Sequence, residues 1–448
     1  MNMPLNPEQT TCFMIKTITP ATALRGELSS LPPDKSIAHR AALFASVAKG
    51  ESVIRNYSAA EDPQSTLSCL RDLGVPVETD GSTVIIRAKG RKTFSPVRQL
   101  IDCGNSGTTM RLLSGLVAGA GLDVTLTGDA SLSSRPMKRI MDPLGLMGAQ
   151  IASSDKNRPP LQFASHKGLR AIDYTLPMAS AQVKSCVLLA GLFADGETRV
   201  TETLPSRDHT ERMLGLETDF NADGSRVLKS SREFEVLPQQ LKIPNDISAA
   251  AFWMVAASII PGSEIVLRGV GINPSRSAVI TILQRMGADI RVSVPPEAST
   301  STTVGEPLAD ITIKSAKLSA TDLLETEIPN AIDEIPVLAV AMAFAEGKST
   351  VRKAAELRAK ECDRIAAVAE MLQKAGLNIK EYADGFDVSG SRSNACQAAD
   401  YSSHHDHRIA MAAAVLSLKA DAPSTIHDAD CAAISYPTFF RDLESLRS

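Results

Sequence analysis

The chain has 448 residues, of which 44% are hydrophobic and only 4% are aromatic. This length allows two or three domains with more than one hydrophobic core. The net charge of −4 argues against a general nucleic-acid or membrane binder, so an anion site must come from a local cluster of lysines and arginines. The seven cysteines include no Cys-x-x-Cys pair, which is typical of reduced cysteines in a cytoplasmic protein. We expect no membrane span, no secretory signal and no plastid transit segment.

One unit of about 70 residues recurs six times along the chain. Each copy has a polar turn, a helix rich in Ala and Leu, a Gly or Pro break, a strand, a second helix and a Gly that leads into another strand. Strands that alternate with helices predict an α/β or α+β fold in which each copy has its own small sheet. The spacing predicts that the first helices of the six copies begin near Ser36, Thr108, Ser180, Ser248, Asp333 and His407.

Six copies could form one ring or two groups of three. The segment from Glu235 to Lys242 contains Pro238 and two glutamines, which makes it a candidate boundary. The segment from Pro295 to Pro307 is rich in Ser, Thr and Pro, so we expect an exposed loop within the fourth copy. Duplication for stability alone would explain the repeat without any chemistry.

The first polar turn carries Lys35, Ser36 and Arg40 at the start of a helix. Prolines stop the preceding strand, and Asp34 or Ser36 can cap the helix. Free N–H groups beside a lysine and an arginine favour an anion site. The alternative is a capped core helix with ordinary basic surface residues.

The second and third turns also suit anions. In the second turn, Gly107 lets an anion approach the backbone, and Arg135 later in the same copy could clamp a carboxylate or phosphate. In the third turn, Ser180 and Gln182 suit hydroxyls or phosphate oxygens, although Ser180 could serve only as a helix cap. The fourth turn, Pro244 to Ser248, has no basic residue and is interpreted as mainly structural.

The fifth copy is the most charged. Asp333 and Glu334 lie in an apolar setting, where burial would raise a carboxyl pKa toward that of a working base. Asp333 could also cap the following helix. Lys360 and Arg364 are four residues apart, so on a helix they would share a face, with Glu361 beside them.

The sixth turn has three histidines between residues 404 and 407. Three histidines suggest a metal, but the chain has no partner cluster with zinc-like spacing, so we expect none. Asp406 is the expected helix cap, and Arg408 is another candidate anion clamp.

Considered together, these turns resemble the EPSP synthase family, the 5-enolpyruvylshikimate-3-phosphate synthases. The resemblance implies two similar globular domains of three βαβαββ-type units each, the inside-out α/β barrel of the enolpyruvyl transferases. The first domain would span residues 24–240, and the second would combine residues 1–23 with residues 241–448. The matching residues run in family order: Asp34-Lys35-Ser36 with His39-Arg40, Asn105 to Arg111, Arg135-Pro136, Ser180-Ala181-Gln182, Ile332-Asp333-Glu334, Lys360-Glu361 with Asp363-Arg364, and Asp406-His407-Arg408.

The resemblance also implies the reaction. The enolpyruvyl group of phosphoenolpyruvate would be transferred to the 5-hydroxyl of shikimate 3-phosphate by addition and elimination, releasing phosphate. Glu361 would be the acid at carbon, Asp333 the base at the hydroxyl and Lys35 a second proton shuttle. The chain would act in the cytoplasm as a monomer, without metal, organic cofactor, nucleic acid or membrane.

The family match assigns two overlapping sets of binding residues. The residues expected to bind shikimate 3-phosphate are Lys35, Ser36, Arg40, Ser180, Gln182, Asp333 and Lys360, with Ser206 and Arg207 as weaker candidates for its phosphate. The residues expected to bind phosphoenolpyruvate are Lys35, Gly107, Arg135, Gln182, Arg364 and Arg408.

One position departs from the family pattern. Many members carry a lysine just before the aromatic-Pro pair near the C-terminus, where this chain has Ile434 and Ser435. Gly107 has a further implication, because family members with alanine there tolerate glyphosate, so we expect glyphosate to inhibit this protein.

Two alternatives remain open at this stage. The sister enzyme that adds enolpyruvate to a UDP-amino sugar usually carries a mobile-loop cysteine, and this chain has none between Arg111 and Pro136. A non-catalytic anion-binding scaffold would not need the set of Asp333, Glu361 and Lys35.

Overall fold

The computed structural model describes residues 14–294, 305–393 and 395–447. Most of the loop expected between residues 295 and 307 therefore lies outside the described residues. None of the helices in the described ranges combines the length and apolar character that a membrane span needs.

The helices follow the predicted repeat. In chain order they are α1 (Lys35–Val47), α2 (Glu61–Asp72), α3 (Gly107–Ala120), α4 (Ala130–Ser134), α5 (Lys138–Met147), α6 (Ala181–Gly191), α7 (His209–Leu214), α8 (Ile247–Ile259), α9 (Ala278–Arg285), α10 (Ile328–Ala331), α11 (Ile335–Ala343), α12 (Arg364–Lys374), α13 (His407–Ser417) and α14 (Phe439–Leu446). Two 3₁₀ helices span Ala355–Ala359 and Ala429–Ile434.

The strands are short, as expected for small separate sheets. In chain order they are β1 (Lys16–Ile18), β2 (Arg25–Leu28), β3 (Lys49–Arg55), β4 (Val77–Asp80), β5 (Thr83–Lys89), β6 (Leu100–Asp102), β7 (Val124–Thr127), β8 (Gln150–Ser154), β9 (Arg158–Ala164), β10 (Asp173–Thr175), β11 (Thr198–Glu202), β12 (Thr218–Phe220), β13 (Arg226–Ser230), β14 (Gln240–Lys242), β15 (Glu264–Gly271), β16 (Asp289–Ser293), β17 (Leu308–Lys314), β18 (Gly347–Val351), β19 (Asn378–Tyr382), β20 (Gly385–Gly390), β21 (Asp400–Ser402) and β22 (Ser424–His427).

Each copy of the repeat has its own sheet, as predicted. The described residues form six sheets of three or four strands. In the second copy the order is β6-β7-β9-β8, with β6 parallel to β7 and the β8–β9 hairpin antiparallel. The third copy repeats this arrangement as β10-β11-β13-β12.

The six predicted helix starts are confirmed to within two residues. Local capping explains most of them, because the side chains of Asp34, Ser106, Ser180, Asp246 and Asp406 accept backbone N–H groups in the first turns. The fifth copy differs. Glu334 occupies the N-cap position of α11 and makes no side-chain cap bond, so the capping alternative for Asp333 is wrong.

The first helices lie inside and the sheets outside. Every residue of α8 and of α11 is buried, which explains why these helices show no polar stripe. Small residues allow this packing. A Cβ added at Gly115 on α3 would overlap the carbonyl oxygen of Cys186 on α6.

Two strands are exchanged where the chain crosses between the halves of the molecule. β2 leads into α1 but pairs with β15 of the fourth copy, and β14 leads into α8 but pairs with β3 of the first copy. β1 pairs with β22 and so adds a strand to the sheet of the sixth copy. The candidate linker at residues 235–242 therefore contains β14, a strand of the first copy's sheet.

Two hydrophobic cores result. The first core runs from Ile37 to Ile243, and the second core combines the segment from Ile18 to Leu31 with residues from Ile247 onward. The core changes between Leu31 and Ile37, because β2 pairs in the second core. The division into two domains itself stays a prediction.

Candidate active site

Several predicted site residues lie in the first turns of helices. Lys35 begins α1, Gly107 begins α3 and Arg364 begins α12. Gln182 lies in the first turn of α6, and Arg408 lies in that of α13. Helix N-termini carry unpaired N–H groups and a partial positive charge, so this arrangement favours anions.

One cationic cluster lies between α3 and α6. The Nη1 atom of Arg111 donates to Gln182 Oε1 at 2.7 Å, and Arg135 Nη2 donates to Asn105 Oδ1 at 2.8 Å. A Cβ added at Gly107 would lie 2.9 Å from Arg111 Nη1 and 3.2 Å from Arg135 Nη1, so both guanidinium groups face this glycine.

The two arginines of this cluster, Arg111 and Arg135, have no neutralising carboxylate in the described ranges. Within the described ranges neither Arg111 nor Arg135 forms a salt bridge. Burial, together with the nearby charges of Arg135 and Arg139, lowers the pKa of Arg111 to about 10. A bound anion would supply the missing negative charge. The sequence analysis did not assign Arg111 to the site, although it belongs to the matched motif.

Asp333 lies at the centre of a second cationic cluster. Its Oδ2 is 2.5 Å from Arg207 Nη2, and its Oδ1 is 3.4 Å from Arg364 Nη1. Arg408 Nη1 donates to the main-chain carbonyl of Asp333 at 2.9 Å. Arg207 precedes α7 in the first core, so this ion pair joins the two cores.

The expected rise in the pKa of Asp333 is wrong. Burial raises the pKa of Asp333, but Arg408, Arg207, Lys360 and Arg364 together outweigh burial and hold it well below its usual range. In the neighbouring Glu334, the effect of burial exceeds that of the nearby arginines and raises the pKa of the carboxyl. Asp333 is therefore ionised at neutral pH.

Glu361 shares a buried arginine with Asp333. Arg364 Nη2 lies 2.6 Å from Glu361 Oε2, while Arg364 Nε lies 2.7 Å from Asp406 Oδ2. Burial opposes ionisation of Glu361, but the charges of Arg364 and His407 and a backbone hydrogen bond together outweigh burial and lower the pKa of Glu361 to about 2. Arg364 thus brings the two predicted catalytic carboxylates together.

Lys360 and Arg364 do not share a helix face, contrary to the prediction. Lys360 follows the 3₁₀ helix Ala355–Ala359, and α12 starts anew at Arg364 with Asp363 as its cap. Lys360 Nζ instead lies 2.7 Å from Glu356 Oε1.

His407 is a buried residue of the site that the sequence analysis missed. Neither ring nitrogen has a hydrogen-bond partner among the described residues. Burial and the nearby Lys35 and Arg408 charges lower its pKa to about 3, against the opposing influence of Glu361. Its place directly after the cap Asp406 was the available signal. Lys35, close to this ring, pairs with Asp62 at 3.2 Å.

Two predicted site residues bond mainly to protein. Arg40 is buried, and its guanidinium donates to Thr210 Oγ1 at 2.8 Å and to Ser185 Oγ at 3.0 Å. Arg40 Nη1 also donates to the carbonyl of Ser36 at 3.0 Å. Ser180 caps α6, as its structural alternative predicted.

Ser206 and Ile434 are less directly tied to the cationic clusters. The Ser206 hydroxyl donates to Glu202 in the first core. Ile434 ends the 3₁₀ helix Ala429–Ile434 and is partly buried.

No metal cluster is present in the described parts of the chain, where no three His, Cys, Asp or Glu side chains gather in a ligating arrangement. The histidines of the sixth turn point to separate partners. His404 Nε2 lies 2.8 Å from Glu370, and His405 Nδ1 lies 3.9 Å from Asp428.

A family model described as EPSP synthase (3-phosphoshikimate 1-carboxyvinyltransferase) matches residues 18–443. The chain belongs to the EPSP synthase family. This family transfers the enolpyruvyl group of phosphoenolpyruvate to shikimate 3-phosphate in aromatic amino acid biosynthesis. The predicted family is confirmed, and the match favours it over the UDP-amino-sugar enzyme and the non-catalytic scaffold.

Individual relatives agree with the EPSP synthase assignment. A 3-phosphoshikimate 1-carboxyvinyltransferase of Salinibacter ruber is 48% identical over 432 residues, covering 96% of this chain and 99% of the relative. The enzyme of that name from a Synechococcus strain is 47% identical over 440 residues, covering 96% of each.

Solved structures show the same fold. An EPSP synthase from Acinetobacter baumannii superposes with a TM-score of 0.86 at 42% identity, covering 96% of this chain and 98% of that one. The enolpyruvyl transferase NikO from Streptomyces tendae gives a TM-score of 0.73 at 18% identity over 96% and 97% of the two chains, a likeness of fold alone. The predicted fold class is confirmed.

Proposed function

We propose that the two cationic clusters of this chain carry out the family reaction on phosphoenolpyruvate and shikimate 3-phosphate. The observation that carries the proposal is the position of Arg364, whose guanidinium is 3.4 Å from Asp333 and 2.6 Å from Glu361. The predicted proton acceptor and proton donor are thus held beside one buried cation. Both substrates are anions, which suits walls rich in arginine.

The cationic cluster between α3 and α6 suits phosphoenolpyruvate. Gly107 and Arg135 line it, and the absence of a salt bridge to Arg135 in the described ranges leaves its charge available. We propose that the residues contacting phosphoenolpyruvate are Lys35, Gly107, Arg135, Gln182, Arg364 and Arg408.

Shikimate 3-phosphate would bind next to this cluster and contact residues of both cores. The ion pair between Arg207 and Asp333 supports this, because it brings a phosphate-binding candidate of the first core against the predicted base of the second core. We propose that the residues contacting shikimate 3-phosphate are Lys35, Ser36, Arg40, Ser180, Gln182, Asp333 and Lys360, with Ser206 and Arg207 at its phosphate.

The lowered pKa keeps Asp333 ionised, so it can accept the proton of the 5-hydroxyl, although a base works best when its pKa lies near the operating pH. Glu361 has the opposite requirement, since it must carry a proton to protonate the methylene carbon. Its pKa is lowered to about 2, mainly by the charge of Arg364 and against the effect of burial. An anionic substrate that binds Arg364 would neutralise that cation, and burial would then raise the pKa of Glu361. Glu361 would therefore become an acid only when substrate is bound.

In the elimination step, the proton returns from the methyl group to a carboxylate and phosphate leaves. Lys35 would serve as a second proton shuttle beside His407. The arginines stabilise the negative charge that develops on the departing phosphate, and closure of the two cores would keep water out.

The quaternary state and location follow the family resemblance only. We propose a monomer that acts in the cytoplasm without metal or organic cofactor. A dimer mass by light scattering would contradict the first point, and loss of activity after EDTA treatment and desalting would contradict the last.

Phosphate release tests the proposed function. We expect release when phosphoenolpyruvate and shikimate 3-phosphate are supplied together, and none with either alone. A UDP-amino sugar in place of shikimate 3-phosphate should give no release. No release from the correct pair by folded protein would overturn the proposal.

A further inference from the structure

Arg276 is a buried cation at the crossing between the two cores, and the mechanism above does not use it. It follows β15 and precedes α9 in the fourth copy, and only 3% of its surface is exposed. A fully buried guanidinium needs several partners, and those of Arg276 come from both cores.

Its contacts within the second core lie at the start of α8. Arg276 Nη2 donates to Ser248 Oγ at 2.7 Å and lies 3.2 Å from Asp246 Oδ1. Asp246 is the cap of α8, so Arg276 is anchored on the turn that the sequence analysis interpreted as structural.

Its contacts with the first core lie at the start of α1. Arg276 Nη1 is 3.4 Å from Ser36 Oγ and 3.6 Å from Asp34 Oδ2. Asp34 caps α1 as Asp246 caps α8. One guanidinium therefore joins the caps of corresponding helices in the first and fourth copies. Reciprocal backbone bonds, from Asp34 N to Pro244 O and from Asp246 N to Pro32 O, surround this junction.

The charges of this junction are interdependent. Burial opposes ionisation of Asp34, but Arg276, His209, Arg207 and the bond from the Ile37 N–H together outweigh burial and lower the pKa of Asp34. Burial and the neighbouring Asp34 charge raise the pKa of Asp246. Removing Arg276 would leave two neighbouring buried acidic groups without the cation that they share, and their repulsion would push the two helix starts apart.

A continuous set of contacts leads from Arg276 to the predicted base. The hydroxyl of Ser248 donates to the Glu334 carboxylate, and Arg408 Nη1 lies 3.5 Å from that same carboxylate. Glu334 precedes α11 and is the neighbour of Asp333 in the chain. Ser36 and Asp333, which belong to different cores, are thus linked through a buried arginine.

We propose that Arg276 is a positioning residue for shikimate 3-phosphate binding. It fixes the position of Ser36, in the first core, relative to the turn that carries Asp333 in the second core. Both cores can then contact the sugar phosphate at once, without reorganising the junction when it binds. This inference rests on the proposed function, because it takes Ser36 and Asp333 as contacts of that substrate.

The test compares Arg276→Gln with a matched control, Arg268→Gln. Arg268 lies on β15 in the same copy and pairs with Glu27 and Asp310, but its side chain is 45% exposed and its partners belong to the second core. Calorimetric titration with shikimate 3-phosphate alone should give a dissociation constant raised about tenfold or more in Arg276→Gln and nearly unchanged in Arg268→Gln. Arg276→Lys should recover part of the loss, because it keeps the charge but not the planar fork.

A double-mutant cycle with Ser36→Ala separates positioning from general stability. If Arg276 acts through Ser36, the double variant should bind shikimate 3-phosphate about as well as the weaker single variant. Additive losses would overturn the inference. A lowered unfolding temperature with unchanged affinity would also overturn it, because that is a purely structural role. If Arg276→Gln does not fold, the same cycle with Arg276→Lys decides.

Measurements on the wild-type protein separate a failure of the proposed function from a failure of the role of Arg276. If it neither binds shikimate 3-phosphate nor releases phosphate with both substrates, the proposed function and this inference fail together. If it is active and Arg276→Gln binds the substrate equally well, only the role of Arg276 is refuted.

Discussion

Arg364 Nη2 lies 2.6 Å from Glu361 Oε2, and this contact keeps the predicted acid ionised in the free protein. The same arginine reaches Asp333 at 3.4 Å and joins Arg408, Arg207 and Lys360 in keeping that carboxylate ionised. Substrate binding would change these interactions, since an anion beside Arg364 competes with both acids for its charge.

The first prediction concerns the pH dependence of stability. Because the pKa of Glu361 is lowered to about 2 on folding, its ionised form stabilises the folded state at neutral pH. A group with a lowered pKa contributes stability above its ordinary unfolded value, and the contribution is lost as pH falls toward the folded value. The wild type should therefore be more stable than Glu361→Gln at pH 7, and the difference should shrink as pH falls from about 4.5 toward 2.

Denaturant unfolding at a series of pH values measures this difference. Glu356→Gln is the control, since Glu356 is 65% exposed and pairs with Lys360 on the surface. A wild-type advantage over Glu361→Gln that stays constant across this pH range would show that the ion pair does not set the ionisation of Glu361.

The second prediction concerns Asp333. Asp333→Asn removes the proton acceptor but keeps the shape of the side chain, so kcat should fall by about 10²–10⁴-fold. Asp333 does not cap α11, and the circular dichroism spectrum should therefore be unchanged. The fall should appear in kcat more than in KM for phosphoenolpyruvate. Near wild-type turnover would assign the base to another group.

Local signals explain what the sequence predicted well. A cap such as Asp34 or Ser180 bonds to N–H groups two or three residues later, so helix starts could be predicted from short stretches. The pairing of β2 with β15 was not predictable in this way, because its partners are more than 200 residues apart.

The ionisation of Asp333 could not be predicted from its neighbours in sequence. The apolar neighbours of Asp333 in sequence suggested a raised pKa, yet the cations that lower it come from separate turns, including Arg207 in the first core. The break before Arg364 was missed because the four-residue spacing from Lys360 fits a helix, whereas Asp363 starts a new one. Long-range electrostatics and chain breaks of this kind require the folded structure.

The third prediction concerns Gly107. A Cβ there would lie 2.9 Å from Arg111 Nη1 and 3.2 Å from Arg135 Nη1, so Gly107→Ala must displace guanidinium groups of the phosphoenolpyruvate pocket. The protein should still fold, because the atoms displaced are the ends of long side chains. We expect KM for phosphoenolpyruvate to rise by about tenfold, the loss of one charge-assisted hydrogen bond.

Inhibition by glyphosate should change with the same substitution. The wild type should lose phosphate release at millimolar glyphosate, and Gly107→Ala should retain more of its activity at that concentration. Unaltered wild-type turnover in millimolar glyphosate would contradict the sensitivity that the resemblance implies.

The last prediction tests the close packing of α3 against α6, the two helices that carry the first cationic cluster. A Cβ on Gly115 would overlap the Cys186 carbonyl, which is backbone and cannot rotate away. Gly115→Ala should therefore destabilise the protein by about 1–3 kcal/mol, the usual cost of overpacking. Gly145→Ala is the matched control, because Gly145 lies inside α5 with open space around its added Cβ, and alanine there should be neutral or slightly stabilising. Denaturant unfolding measures both. Since α3 carries Gly107 and α6 carries Gln182, Gly115→Ala should also raise KM for phosphoenolpyruvate, and equal stability of the two variants would contradict the helix contact.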